Sequence, residues 1–252
     1  MEFDLSKIKF SKNDLKRNIK IPKILTKELA EFVGIIIGDG HVGKHRSRSG
    51  NYSSVHYQIR IGGNIRDKKY YETYVNNLFS KIFNTQFSFF NSIHDNTIIS
   101  RKESKAIYYF MIEIMKIPQR KDNVSIPNCI MTSCREIKSA FLRGLVDADF
   151  CLTIKSSKKY PVINGTSKSS VLIKQCSEIL DELGIKNNIY HETNYYEKRK
   201  RAYTCHRIYI NGHSRVRKFL EIVGFSNELK IRIYQEFLEK KSGSGKIRTP
   251  DL

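Results

Sequence analysis

No apolar run in this chain approaches the roughly 18 residues of a membrane span. The N-terminus, MEFDLSKIKFSKNDLKRNIK, is charged from its second residue and lacks the apolar core of a signal peptide. These absences read as a soluble, intracellular protein of the cytoplasm or nucleoid, or of an organelle matrix. Cysteine is sparse: Cys129, Cys134, Cys151, Cys176 and Cys205 are an odd number and form no C-x-x-C, which argues against a disulfide framework and a zinc ribbon. Histidine offers no metal site either. His191-Glu192 is followed by no second histidine at metalloprotease spacing, and His41 and His45 lie in a Gly-rich polar stretch. Acid is in short supply, with 25 Asp and Glu against 45 Lys and Arg, a formal net charge of +20. A surplus of that size points to a polyanionic partner. What is present, 252 residues of which 40% are hydrophobic, suffices for one large core or two modest ones.

The chain is written twice. IPKILTKELAEFVGIIIGDG (21–40) and IPNCIMTSCREIKSAFLRGLVDADF (126–150) share an Ile-Pro start, a polar connection, an apolar-periodic helix and an acidic end, Asp39 or Asp149. Two strand-like runs follow each acid. NYSSVHYQIRIGGN places Val55, Tyr57, Ile59 and Ile61 on one side and His56, Gln58 and Arg60 on the other. A helix with an apolar stripe comes next, IRDKKYYETYVNNLFSKIF or KSSVLIKQCSEILDELGI, then two more strands and a further helix. NELKIRIYQEFLEKK closes the fold. The pattern predicts an α+β protein of two pseudo-symmetric α-β-β-α-β-β-α halves, each a four-stranded antiparallel sheet with a helical layer on one face. The expected boundaries are an N-terminal extension 1–20, halves 21–118 and 119–241, and a flexible Gly/Ser-broken tail 242–252.

The uncovered sheet faces carry the surplus charge. Arg46, Arg48, Arg60, Arg101, Lys155, Lys158, Lys159, Arg199, Arg201 and Arg207 fall on predicted strands or their connections, mixed with Gln58 and other polar residues that read base edges. Isolated basic residues can simply block edge pairing. Their recurrence in both halves favours nucleic acid.

GIIIGDGHVG (34–43) contains Gly38-x-Gly40-x-x-Gly43, the spacing of a dinucleotide loop. Such a loop needs a strand before the glycines and a helix after them. Here Leu29, Phe32, Val33, Ile36 and Ile37 run at helical spacing into the glycines, so a helix ends at Asp39 instead. Small residues four apart, Gly34 and Gly38 or Gly144 and Ala148, let two helices approach closely. Pairing along those faces would bring Asp39 and Asp149 together, where their repulsion is relieved by an oxygen-loving divalent cation, as in a phosphodiester-cleaving centre. The competing reading, an acid that merely ends a helix, is disfavoured by the macrodipole.

GIIIGDG and GLVDADF resemble the paired signatures of the LAGLIDADG homing endonucleases, and the two-motif layout from Ile21 to Lys241 resembles their single-chain class. The resemblance implies a monomer whose signature helices pack together and whose saddle-shaped sheets follow the major groove of double-stranded DNA. Asp39 and Asp149, with Gly38 and Ala148, would bind Mg²⁺ (or Mn²⁺) across the minor groove, and both strands would be cut with short 3′ overhangs. It further implies catalytic lysines, matched by Lys121 and Lys230, and polar residues ordering water, matched by Asn64 and Ser167, for which helix capping is the competing role. Phe150 departs from the usual glycine and is expected to place a side chain beside the site. The alternatives on the same scaffold are an RNA maturase, with intron RNA as partner, and a non-cleaving DNA-binding regulator.

Overall fold

Thr26 caps the first signature helix by accepting the Leu29 N–H at 3.2 Å. That helix, α2 (Lys27–Gly38), is apolar on nearly every side, because one face meets a second helix and the other meets the first half's core. Its Phe32 packs among Phe79, Phe83 and Phe87. The computed structural model describes residues 2–50, 52–92, 95–155, 160–196 and 200–243. Besides α2, the first half contains α1 (Lys12–Lys16), β1 (Gly40–Ser49), β2 (Tyr52–Asn64), α3 (Asn76–Phe83), β3 (Ser88–Ser92), β4 (Thr97–Glu103) and α4 (Lys105–Tyr109). The second has α5 (Asn128–Met131), α6 (Arg135–Asp149), β5 (Phe150–Lys155), β6 (Tyr160–Ser167), α7 (Ser170–Glu182), β7 (Asn188–Tyr196), β8 (Arg201–Asn211), α8 (His213–Ile222) and α9 (Glu228–Gly243). The first helix after β2, expected as one regular element, begins with a 3₁₀ turn (Ile65–Asp67) and a π turn (Tyr70–Val75) before α3, and the π turn carries Tyr70 and Tyr71 inward.

Each half forms one antiparallel sheet, ordered β1-β2-β4-β3 or β5-β6-β8-β7. Alternation along the strands sends Val42, Ile59, Ile61 and Ile98, or Leu152, Ile163, Ile208 and Ile210, into the core under the helices. The opposite face of each sheet is left polar.

The halves join along α2 and α6, whose backbones touch. A Cβ on Gly34 would strike the Phe141 carbonyl, one on Gly144 the Glu31 carbonyl, and one on Gly38 would lie 2.6 Å from Ala148 Cβ. Small residues are therefore a steric requirement here. Glu31, 2% exposed, is carried into the junction by this approach. Arg143 grips it through two hydrogen bonds (3.0 and 2.5 Å), and Tyr74 Oη and Ser226 Oγ donate at 2.7 and 3.0 Å. Full satisfaction of this kind offsets the cost of burying its charge.

The N-terminal residues pack on the first half. Ser11 and Asp14 form a reciprocal cap on α1, and buried Asp14 also accepts the Ala106 N–H at 3.2 Å. The tail beyond residue 243 lies outside the described residues.

Candidate functional site

Both signature helices stop at their acids. Asp39 caps α2, its N–H bonded to the Ile35 carbonyl at 2.9 Å, and its own carbonyl takes the Gly62 N–H at 3.1 Å. Asp149 is the last residue of α6, from which the chain turns straight into β5. The helix ends abut, since a Cβ on Gly38 would lie 3.2 Å from Asp149 Cβ. The sequence expectation that close helix packing brings the two carboxylates together is met in the geometry.

Burial pushes the Asp39 carboxyl up to about 6; the Tyr71 hydroxyl opposes this and the Asp149 charge adds to it. Asp149 is more open at the surface, and its carboxyl too is raised, by desolvation, against the pull of Lys121 and Lys230. Two repelling carboxylates at the end of a junction suit a divalent cation. Among the described residues no group of three or more His, Cys, Asp or Glu could hold a metal. The donor set thus fits a cation completed by water and substrate phosphate, the usual manner of Mg²⁺, and does not fit an all-protein cage.

Lys121 Nζ donates to the Gly38 carbonyl at 2.7 Å, and Lys230 Nζ donates to the carbonyls of Val146, Asp147 and Phe150 at 2.6, 2.7 and 2.6 Å. Both ammonium groups satisfy carbonyls at a helix C-terminus, where the dipole favours a cation. Burial lowers both lysines from their ordinary value, against the attraction of the nearby aspartates. The Gly38 oxygen, expected on a metal, is engaged by Lys121. Asn64 accepts the Arg66 N–H at 2.9 Å as the cap of the 3₁₀ turn, whereas Ser167 accepts the Ser169 N–H at 3.1 Å just ahead of α7, and Ser169 itself caps that helix.

Phe150 directly follows Asp149, and its ring is 6% exposed and lies in the core over its strand partner Gly165, whose Cβ position it fills. The first half makes the reverse choice at the same place, Gly40 opposite Ile61. A large-small exchange across the strand pair keeps the volume constant.

The polar sheet faces assemble Gln58, Arg60 and Arg101 in the first half, with Arg101 over the Phe90 ring at 4.5 Å. In the second they assemble Lys155, Asn164, Tyr190, Tyr209 and Arg207, the last paired to Glu192 at 3.0 Å. Arg201 begins β8, its backbone paired with Tyr196. Arg46 and Arg48 do not join it: they pair with Val55 and Ser53, one residue out of phase with His45–His56 and Gly43–Gln58, and alternation turns them to the other side of β1. Lys158, Lys159 and Arg199 lie outside the described residues.

Sequence reasoning passed over Tyr71, reading it as part of an apolar stripe, although the Gly62-Gly63 pair signals room cleared for a neighbour. It also passed over Glu31. Asp147, an acid inside an apolar helix, is buried with Oδ2 on the Ser226 N–H and Oδ1 unpartnered, and burial raises its carboxyl to about 7.

Residues 136–224 match the family described as LAGLIDADG-like domain. Among solved structures, mesophilic variants of the homing endonuclease I-DmoI superpose with a TM-score of 0.54 at 20% identity, covering 79% of this chain and 95% of theirs. The LAGLIDADG homing endonuclease I-GzeII in complex with its DNA target gives 0.52 at 14% identity, covering 87% and 92%. At these identities the likeness establishes the LAGLIDADG fold across both halves. Among curated proteins, the chain is 25% identical over 229 residues to glutamine–fructose-6-phosphate aminotransferase and over 219 residues to a DNA polymerase, both of Methanocaldococcus jannaschii. It covers 89% and 84% of itself but spans only 19% and 12% of those proteins.

Proposed function

We propose that this LAGLIDADG chain is a site-specific endonuclease that binds double-stranded DNA as a monomer and hydrolyses both strands with Mg²⁺ or Mn²⁺. The observation that carries the reading is the meeting of Asp39 and Asp149 at the end of the α2–α6 junction, between two sheets with polar, basic faces. I-DmoI has been solved with DNA and calcium and with DNA and manganese, which supports a divalent-cation chemistry on this scaffold.

In this mechanism the outward sheet residues hold the duplex by base edges and phosphates, and the carboxylates face the backbone between the halves. A cation bound there supplies Lewis-acid stabilisation of the phosphoryl oxygens and lowers the pKa of water. Asp39 and Asp149 would hold that charge, and Lys121 and Lys230, which fix the helix ends, would keep positive potential near the scissile backbone.

Incubating the protein in Mg²⁺ with host genomic DNA and sequencing every new end tests the reading, with the Asp39→Asn, Asp149→Asn double variant alongside. Ends clustered at one locus with 3′ overhangs, absent from the variant, are expected. A folded protein that binds nucleic acid and makes no cut would instead identify a maturase or a regulator.

A further inference from the structure

Asp39 and Asp149 end equivalent helices, yet only one is held in place. Tyr71, 3% exposed, donates its hydroxyl to Asp39 Oδ2 at 2.6 Å. Gly63 of β2 clears the space, since a Cβ there would strike the Tyr71 Cε2, Cζ and Oη atoms. Among the described residues the second half has no such arrangement. Asp149 accepts no hydrogen bond among the described residues, and the ring over Gly165 in its neighbourhood is Phe150, which has no donor. The buried stripe of α7, with Leu172, Ile173, Cys176, Ile179 and Leu180, sends no hydroxyl toward it.

A carboxylate already fixed in one rotamer loses little freedom when it binds a cation, whereas a free one must be ordered at that moment. One oxygen of Asp39 is engaged by Tyr71, which leaves the other for the metal. From this geometry we propose that Tyr71 is a positioning residue that fixes the Asp39 carboxylate for cation binding and makes the two strand cleavages unequal. The inference rests on the nuclease reading and deepens it.

The test compares wild type, Tyr71→Phe and Gly63→Ala, the last keeping the hydroxyl but displacing the ring. Mn²⁺ binding to the protein alone is followed by calorimetry, and single-turnover rates are measured for each strand of the recovered target. Both variants should bind Mn²⁺ about tenfold more weakly, the size of one hydrogen bond to a charged group. The faster-cut strand should slow by a similar factor, with the slower strand changed less than about twofold and DNA affinity kept. Equal Mn²⁺ affinity in wild type and Tyr71→Phe overturns the proposal, as does equal slowing of both strands with a lowered Tm, the mark of a purely structural side chain. A wild type that binds Mn²⁺ but cuts no DNA overturns the nuclease reading alone, and the calorimetric comparison then decides the positioning role.

Discussion

The corners where α2 and α6 deliver their acids both lead from helix straight into strand, and their surroundings differ. At Asp39 a tyrosine reaches in over a glycine, the helix end is followed by Gly40, and a single lysine bonds one carbonyl. At Asp149 the next residue is a buried phenylalanine, no hydroxyl approaches among the described residues, and Lys230 gathers three carbonyls. The repeat has kept what its geometry demands, close helices and a paired sheet, and has let the side chains around the acids diverge. Volume is conserved over a strand pair, Gly40–Ile61 against Phe150–Gly165, even where neither position matches its counterpart.

That exchange gives the largest expected effect. Phe150→Ala should cost about 4 kcal/mol in urea unfolding, because it empties a buried ring site. Adding Gly165→Ile should recover at least about 1 kcal/mol by restoring the first half's pattern. Additive losses would show that the two halves solve the packing in unrelated ways.

Next come the places where the halves agree. Gly34 and Gly144 are equivalent, and each lies against the partner helix's backbone. Alanine at either should destabilise by about 3 kcal/mol, since a main chain must move, and by nearly the same amount at both. Gly38→Ala should cost less, because its tightest approach, 2.6 Å to Ala148 Cβ, is milder than the backbone clashes at Gly34 and Gly144, although the helices must still part.

The acids sharpen the contrast through pH. The folded-state pKa of Asp39, about 6, lies above the ordinary 3.8, so between those values the folded protein retains a proton that the unfolded chain has lost. Stability from this group is present at low pH and is lost as pH rises through that window. Asp39→Asn should therefore stabilise the metal-free protein at pH 8 by up to about 2 kcal/mol, and the gain should vanish near pH 4. Thermal melts across pH would check this, and an equal gain at both ends of the range would refute it.

The smallest effects concern the DNA faces. Arg60→Ala and Arg101→Ala should each reduce the slope of log affinity against log salt by about 1, if each neutralises a phosphate. Arg46→Ala and Arg48→Ala should leave it unchanged, because they project from the other side of β1. A reduced slope for Arg46 would mean that the duplex wraps the edge of the sheet.

Much of this was legible in the chain itself. The two signatures, the helices ending at Asp39 and Asp149, the order of strands and the small residues at Gly34, Gly38, Gly144 and Ala148 all follow from local periodicity and from a repeat, which need no knowledge of distant contacts. The phase of a strand beyond its core was not legible: Arg46 and Arg48 read as neighbours of Arg60 until the register with Val55 and Ser53 separated them. Tyr71 in an apolar stripe looks the same whether its hydroxyl is idle or bound to an acid 32 residues away. Phe150 looks like an intrusion until Gly165 is seen beneath it. Sequence alone determined which segments become helix or strand and that the fold is doubled, because those follow from near neighbours along the chain. Only the tertiary structure decided which carboxylate is held, which lysine grips which carbonyl and which arginines share a face, because those depend on groups brought together by long-range packing.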